Sequence, residues 1–407
     1  MKSISFCLSL CVLFACNHGV AQKIEEKNIQ KHIQYLADDK LQGRQTGSEG
    51  ERMAIDYIQN EFKKLKLAPM GDGSSFEQAF TFKGGTHGTG AEGTAHNVVA
   101  FLDNKADKTI IIGAHFDHLG LGENGSSLDA NPQGKIHNGA DDNASGVAGV
   151  LELARYFKNN KVKENSNFLF ICFSGEELGL FGSKYFTEKP TLELSNVNYM
   201  INMDMIGRLN PTTKSISVSG SGTSPVWETL FKNTNTTLAV KTDSAGIGPS
   251  DHTSFYLKNI PVLHFFTGSH SDYHKPSDDE EKINYEGHVA IVKMIENILT
   301  RLDGAEKLPF SKTKNDSNED APKFKVTLGV VPDYAFEGEG MRIDGVTDGK
   351  PASKAGLQPG DVVIQLGENK VLDMMSYMKA LGKFKKGEST KVKVMRENKE
   401  IEKDITF

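Results

Sequence analysis

Four short apolar runs constrain this chain more than any other feature: Ile110-Ile111-Ile112, Phe168-Leu169-Phe170-Ile171, Met200-Ile201 and Val262-Leu263. None alternates apolar with polar residues, and helix-like stretches separate them. Between the first two, Val147, Val150, Leu151, Ala154 and Phe157 fall on one helical stripe. Strands buried on both faces read as continuous apolar runs. Their alternation with helices predicts an α/β domain with a mostly parallel central sheet flanked by helices. In an open sheet of this kind the carboxyl ends of the strands meet at one crevice, where ligands bind.

Each run is followed by residues able to hold a metal. After the first come His115, Asp117 and His118; after the second, Glu176 and Glu177; after the third, Asp204; after the fourth, across a loop, Tyr273 and His274. Far apart in sequence, these groups are expected to converge in space. Carboxylates crowded into a partly dry crevice repel one another until protons or a cation resolve the charge. Imidazoles among carboxylates suit zinc better than magnesium or calcium, with manganese or cobalt also compatible. Taken singly, His115 or the Glu176-Glu177 pair is unremarkable, whereas Asp204 at the end of an apolar strand needs a partner. The joint pattern carries the expectation. His118, His137, His252, His264 and His270 are each expected around the ligand set or on the surface rather than as ligands. The segment "NGADDNASG", residues 138–146, sets Asp141 and Asp142 side by side among small residues, where a solvated turn and a close approach to a ligand compete.

The chain has 407 residues, a net charge of −6 and a pI near 6.1, so it has no general basic field for nucleic acid. Lys2, the apolar run Ile4 to Ala15 and the small-residue site Gly19-Val20-Ala21 read as a secretory signal, residues 1–21. An alternative cleavage before Cys16 would leave a lipid anchor there; either route exports the protein to the periplasm or beyond, and neither leaves a transmembrane span. With Cys7, Cys11 and Cys16 in the leader, Cys172 stands alone in the body and no internal disulfide forms. Helical patterns run from Ile24 to Leu67, with Ser48 and Glu51 as a capping box, and Ser224-Pro225 starts a further helix. The divisions expected are a first domain over 22–302, a polar linker over 303–322 and a small β-rich domain over 323–407.

The motifs "GAHFDH", "NGADDNASG", "FSGEELGLFGS", "NMDMIG", "SDHTSF" and "YHKPSD" resemble, in order and spacing, those of the two-zinc aminopeptidases, and "GRQTGSEGERMAIDYIQNEF" resembles the helical segment that opens their fold. The resemblance spans about residues 24–302. It implies the zinc exopeptidase fold shared with glutamate carboxypeptidase and glutaminyl cyclase, and two Zn2+ per chain. By resemblance, His115 and Asp204 hold one zinc, Glu177 and His274 the other, and Asp142 bridges both. Glu176 is then the general base, Tyr273 stabilises the oxyanion, and Asp117 orients the His115 imidazole. The implied activity is removal of N-terminal residues from peptides with a free α-amino group. Lys275 departs from the small hydroxyl residue common in the family, and the span from Phe80 to Asn97 leaves no room for the insert some relatives carry.

Pro351-Ala352, Ala355-Gly356-Leu357 and Gly360-Asp361-Val362-Val363 resemble a bacterial PDZ domain, with Leu328-Gly329-Val330 as its carboxylate-binding loop. Pro332, lacking an N–H, counts against simple capture of a peptide strand. An exported zinc aminopeptidase is therefore the leading expectation. Its alternatives are a glutaminyl cyclase, disfavoured by the complete two-metal set, and an inactive PDZ-type peptide binder, disfavoured by Glu176.

Overall fold

The structure is a computed structural model and describes residues 22–83, 92–123, 126–129, 131–234, 236–313, 326–332, 338–346, 349–372 and 374–407. The export signal, the lipid-anchor cysteine Cys16, most of the Gly-rich segment after Lys83 and the linker residues 314–322 lie outside these residues.

Nine strands form the larger domain's sheet: β1 (Ala68–Pro69), β2 (Glu77–Lys83), β3 (Glu92–Leu102), β4 (Thr109–His115), β5 (Asn167–Phe173), β6 (Val197–Met203), β7 (Ser215–Ser219), β8 (Ala239–Thr242) and β9 (Val262–Phe266). Their order is β1-β3-β5-β4-β6-β9-β7-β8, with β2 beside β3. The four central strands, β5, β4, β6 and β9, are parallel and carry the four apolar runs. On their flanks β3 runs antiparallel to β5, β1 and β2 antiparallel to β3, and β7 antiparallel to β9. The sheet is thus mixed: its buried centre is parallel, the strands flanking that centre, β3 and β7, run against it, and the edge strand β8 is parallel to β7. Hydropathy reports burial and not strand direction, so the apolar runs expose the parallel centre and leave the edges undetermined.

Helices α1 (Glu26–Leu36), α2 (Glu49–Lys64), α3 (Gly146–Asn159), α4 (Phe181–Glu188), α5 (Pro225–Lys232), α6 (His252–Tyr256) and α7 (Tyr285–Arg301) accompany this sheet. Val147, Val150, Leu151 and Ala154 of α3 join Ile110, Ile112, Phe168, Phe170 and Ile201 in one buried cluster. Ile111, Leu169, Ile171 and Met200 point into a second cluster with Phe186, Phe255 and Val262. Neighbouring strand residues facing opposite clusters are the period of two made visible. Ser48 caps α2 by accepting from the Glu51 N–H at 3.2 Å. Ser224 caps α5, whose first residue is Pro225.

Residues 303–313, expected as linker, carry contacts of their own with this domain. Leu308 is buried with its N–H on Asn198, and the Thr313 N–H reaches the Tyr256 hydroxyl at 3.0 Å.

The C-terminal domain has its own core of Leu328, Met341, Ile343, Val363, Leu366, Val392 and Val394 among others. Its elements are β10 (Val330–Pro332), β11 (Met341–Val346), α8 (Pro351–Lys354), β12 (Val362–Leu366), β13 (Asn369–Lys370), α9 (Met374–Leu381), β14 (Ser389–Arg396) and β15 (Lys399–Thr406). Every strand pairing is antiparallel. Pro332 closes β10, and the pairing with β11 slips between Val331 and Pro332. The proline lies where the ladder is already broken, as its missing donor requires.

Candidate metal centre

Parallel direction in β4, β5, β6 and β9 brings their carboxyl ends to one edge. His115 is the last residue of β4, Glu176 and Glu177 follow β5, and Asp204 follows β6. Asp142 comes from the turn Ala140–Ser145 that feeds α3, and His274 from the loop after β9.

Asp142 sits at the middle. Its Oδ1 is 3.4 Å from His115 Nε2, which is also 3.4 Å from Asp204 Oδ1. Its Oδ2 is 3.3 Å from His274 Nε2, which is 3.2 Å from Glu177 Oε2. Each carboxylate oxygen therefore faces a different imidazole–carboxylate pair. The ring orientations agree: His115 Nδ1 is held by the Asp117 carbonyl at 3.2 Å and His274 Nδ1 by the Ser126 carbonyl at 3.0 Å. With Nδ1–H donated to a carbonyl, each Nε2 lone pair is left for the centre.

The charge distribution asks for a cation. Burial opposes protonation of His115, yet Asp204 and Glu176 beside it hold its pKa well above the ordinary imidazole range. Burial likewise opposes protonation of His274, and Glu177 and Asp142 overcome it. Burial pushes the Glu176 carboxyl well up, with Glu177 and Asp204 adding to the effect against His115. Glu177 moves the other way: burial is outweighed by His274 and His118, and its carboxyl stays well below the usual range. Two buried imidazoles held as cations by the four carboxylates of Asp142, Glu176, Glu177 and Asp204 is an arrangement that divalent ions would satisfy better than protons. His115, Asp142 and Asp204 offer donor atoms within 4.8 Å of one another, as do His118, Asp142 and Glu177. Nitrogen and carboxylate donors, buried and convergent, fit zinc.

Asp117 touches the His115 imidazole and also does something further. Its carbonyl, rather than its carboxylate, is the nearer acceptor for His115; the carboxylate lies 3.7 Å away. That carboxylate instead accepts the N–H of Glu176 at 3.1 Å and the Thr46 hydroxyl at 2.8 Å, so it fixes the loop carrying the paired glutamates. Tyr273 stacks on the His274 ring, with centroids 3.9 Å apart.

The second acid of "NGADDNASG" is a brace. Asp141 Oδ1 accepts the Gly207 N–H at 2.6 Å and Oδ2 meets His270 Nε2 at 3.1 Å. Asp278, the last residue of "YHKPSD", accepts the N–H groups of Asp141 and Asp142, the latter at 3.0 Å. Gly139 has φ +55, and a Cβ there would lie 2.1 Å from the Asp142 carbonyl oxygen and 2.5 Å from the His118 ring. Only glycine permits the turn to pass so close. His118 Nδ1 donates to Glu177 Oε1 at 2.8 Å. The sequence placed His118 outside the ligand set without a partner; its position in "GAHFDH", three residues after His115, was the only signal.

Residues 97–299 match peptidase family M28, and residues 310–406 match a PDZ domain. The larger domain belongs to peptidase family M28. Among curated relatives, leupeptin-inactivating enzyme 1 of Streptomyces exfoliatus is 28% identical over 322 residues, which is 76% of this chain and 64% of that protein. Leucine aminopeptidase 2 of Arthroderma otae is 29% identical over 186 residues, 42% of this chain and 36% of the relative. The chain thus spans less than two thirds of either relative's length. Among solved structures, a zinc aminopeptidase from Bacillus subtilis superimposes with a TM-score of 0.55 at 17% identity, covering 72% of this chain and 99% of its own. That likeness shows the larger domain to share the fold of that aminopeptidase.

Proposed function

We propose that this protein is an exported two-zinc aminopeptidase that removes N-terminal residues from peptides. Residues 1–21 act as the export signal, and the PDZ domain binds a peptide or protein partner. One zinc takes His115 and Asp204, the other Glu177 and His274, and Asp142 holds both. The observation that supports this reading is the division of Asp142, with Oδ1 3.4 Å from His115 Nε2 and Oδ2 3.3 Å from His274 Nε2.

When bound, zinc ions of this kind polarise a carbonyl and lower the pKa of water. The chain's residues do the rest. Glu176, half-buried and raised by burial above ordinary carboxyls, takes a proton from the attacking water and returns it to the leaving amine. Asp117 holds the Glu176 N–H and so fixes where that carboxylate stands. Tyr273, anchored on the His274 ring, offers its hydroxyl to the oxygen on which negative charge develops.

The test is hydrolysis of a panel of aminoacyl-amides, beginning with leucyl-amide because leucine aminopeptidases are among the relatives. Turnover should vanish with chelation and return with zinc. Glu176→Gln should lose roughly 100- to 10,000-fold in kcat while still binding metal. Unchanged turnover after verified metal removal sinks the metal mechanism, and full activity in Glu176→Gln removes the base. Cyclisation of N-terminal glutamine without hydrolysis would assign a cyclase, and peptide binding without turnover a binding protein.

A further inference from the structure

The segment ahead of α2 contributes no donor to the metal centre, yet it drives one charged side chain beneath it. Three consecutive residues, Gln42, Gly43 and Arg44, have left-handed φ values of +46, +71 and +49. Such backbone is costly for non-glycine residues and persists where the surroundings over-determine it. Here it turns Arg44 fully inward, with no exposed surface.

Every hydrogen bond of that guanidinium ends on a backbone carbonyl. Nε donates to Phe116 O at 2.7 Å, Nη1 to Asn138 O at 2.6 Å and to Leu36 O, and Nη2 to Gly139 O at 3.0 Å. Phe116 lies between His115 and Asp117. Asn138 and Gly139 open the turn that presents Asp142. One rigid fork therefore joins the two segments whose side chains face each other across 3.4 Å in the centre. The backbone repeats the link on one side, where the His118 N–H reaches the Arg44 carbonyl at 3.2 Å and the Gly120 N–H the Gly43 carbonyl at 3.0 Å. Burial opposes the charge on Arg44, and Asp142, Asp117, Asp278 and Glu177 around it keep it, at about 10, cationic at neutral pH.

We propose that Arg44 is a positioning residue that sets the separation of His115 from Asp142, so that the two halves of the metal centre are in register before an ion binds. The inference rests on the metal centre proposed above. It separates two properties that arginine combines. A lysine supplies positive charge as a point on a flexible stem, whereas only the planar fork holds several acceptors at fixed distances.

The experiment measures zinc affinity of the purified full chain by competition with a chromophoric chelator, alongside near-ultraviolet circular dichroism of the zinc-free protein. Partners that orient metal ligands typically contribute about 10- to 100-fold in metal affinity. Arg44→Lys should weaken zinc binding by that factor while its dichroism stays native. A merely structural role would lower the thermal midpoint and leave the affinity of the folded protein unchanged, and that result overturns the proposal. Parental affinity in Arg44→Lys with weakened affinity in Arg44→Gln assigns the effect to charge alone and also overturns it. If neither variant folds even with zinc present, Arg44 holds the fold rather than the site, and the proposal falls. Absence of zinc binding by the unsubstituted protein is a separate result, because it removes the metal centre itself.

Discussion

The two domains bury carboxylates in opposite ways. In the PDZ domain Asp361 is buried and met by a cation: Arg396 donates Nε to Oδ1 at 2.6 Å and Nη2 to Oδ2 at 2.8 Å, and the Gln358 N–H caps Oδ2 at 2.9 Å. Among the described residues its other charges are exposed or partly exposed, as in the cross-strand pairs Lys391–Glu402 and Lys393–Glu400 of β14 and β15. In the M28 domain Asp142, Glu177 and Asp204 converge on imidazoles, while the buried Arg44 bonds to carbonyls. A buried acid closed by a bidentate arginine is complete as folded. A set of acids facing imidazoles leaves charge for something else to neutralise, and the difference separates a structural carboxylate from a functional one.

The largest effect should come from breaking the functional side. Asp142→Asn keeps the size and removes the charge shared by both halves. On the two-zinc reading proposed above, both ions should be lost or weakened by more than the about 100-fold that an outer partner contributes. Metal content per chain and chelator competition measure this, and retention of both ions at parental affinity would erase the distinction drawn here. On the structural side, Asp361→Asn should leave zinc content untouched and destabilise the PDZ domain alone. Removing one partner of a buried pair costs about 3–5 kcal/mol, and the partial exposure of Arg396 reduces that to about 2 kcal/mol. Urea unfolding followed by a PDZ-specific probe reads the change. An unchanged PDZ transition would mean that the arginine contributes nothing to closing the fold.

The sequence carries the functional side better than its supports. The apolar runs locate β4, β5, β6 and β9, and the residues after them, His115, Glu177, Asp204 and His274, meet within hydrogen-bonding range of Asp142 or of one another. Strand ends are legible because hydropathy changes abruptly there. The braces are not. Arg44 and Asp278 act mainly through backbone carbonyls or amides more than 70 residues away in the chain, and no local pattern marks such a partner; for His270, expected around the site or on the surface, nothing local marks the pairing with Asp141. Asp117 shows the same limit in part: its place two residues past His115 points to the imidazole it does contact, and nothing local marks its carboxylate's bonds to Glu176 N and Thr46. The flanking strands fail for a related reason: β3 and β7 have ordinary strand character, and their reversed direction is decided by pairing with β5 and β9.

Glu51 tests a third kind of buried acid, one held by hydrogen bonds with neither an arginine fork nor the metal centre around it. Its carboxylate accepts the Gly47 N–H at 2.6 Å and the hydroxyl of Ser174, two residues before Glu176. Burial lifts its pKa to about 7 against the Ser174 and Gly47 bonds. The raised value fixes the sign. Between the ordinary value of 4.5 and about 7 the folded chain binds a proton that the unfolded chain has released. Stability from this group is therefore full below about 4.5, falls as pH rises through the window and is flat above it. A shift of that size corresponds to at most about 3 kcal/mol. Glu51→Gln removes the titration, so the stability difference between the two zinc-loaded proteins should change by on the order of 1–3 kcal/mol from pH 5 to pH 8, with the parent losing relative to the variant as pH rises. A constant difference would mean that Glu51 is ionised throughout, and that the M28 domain tolerates a buried carboxylate on two hydrogen bonds as well as the PDZ domain tolerates one on an arginine.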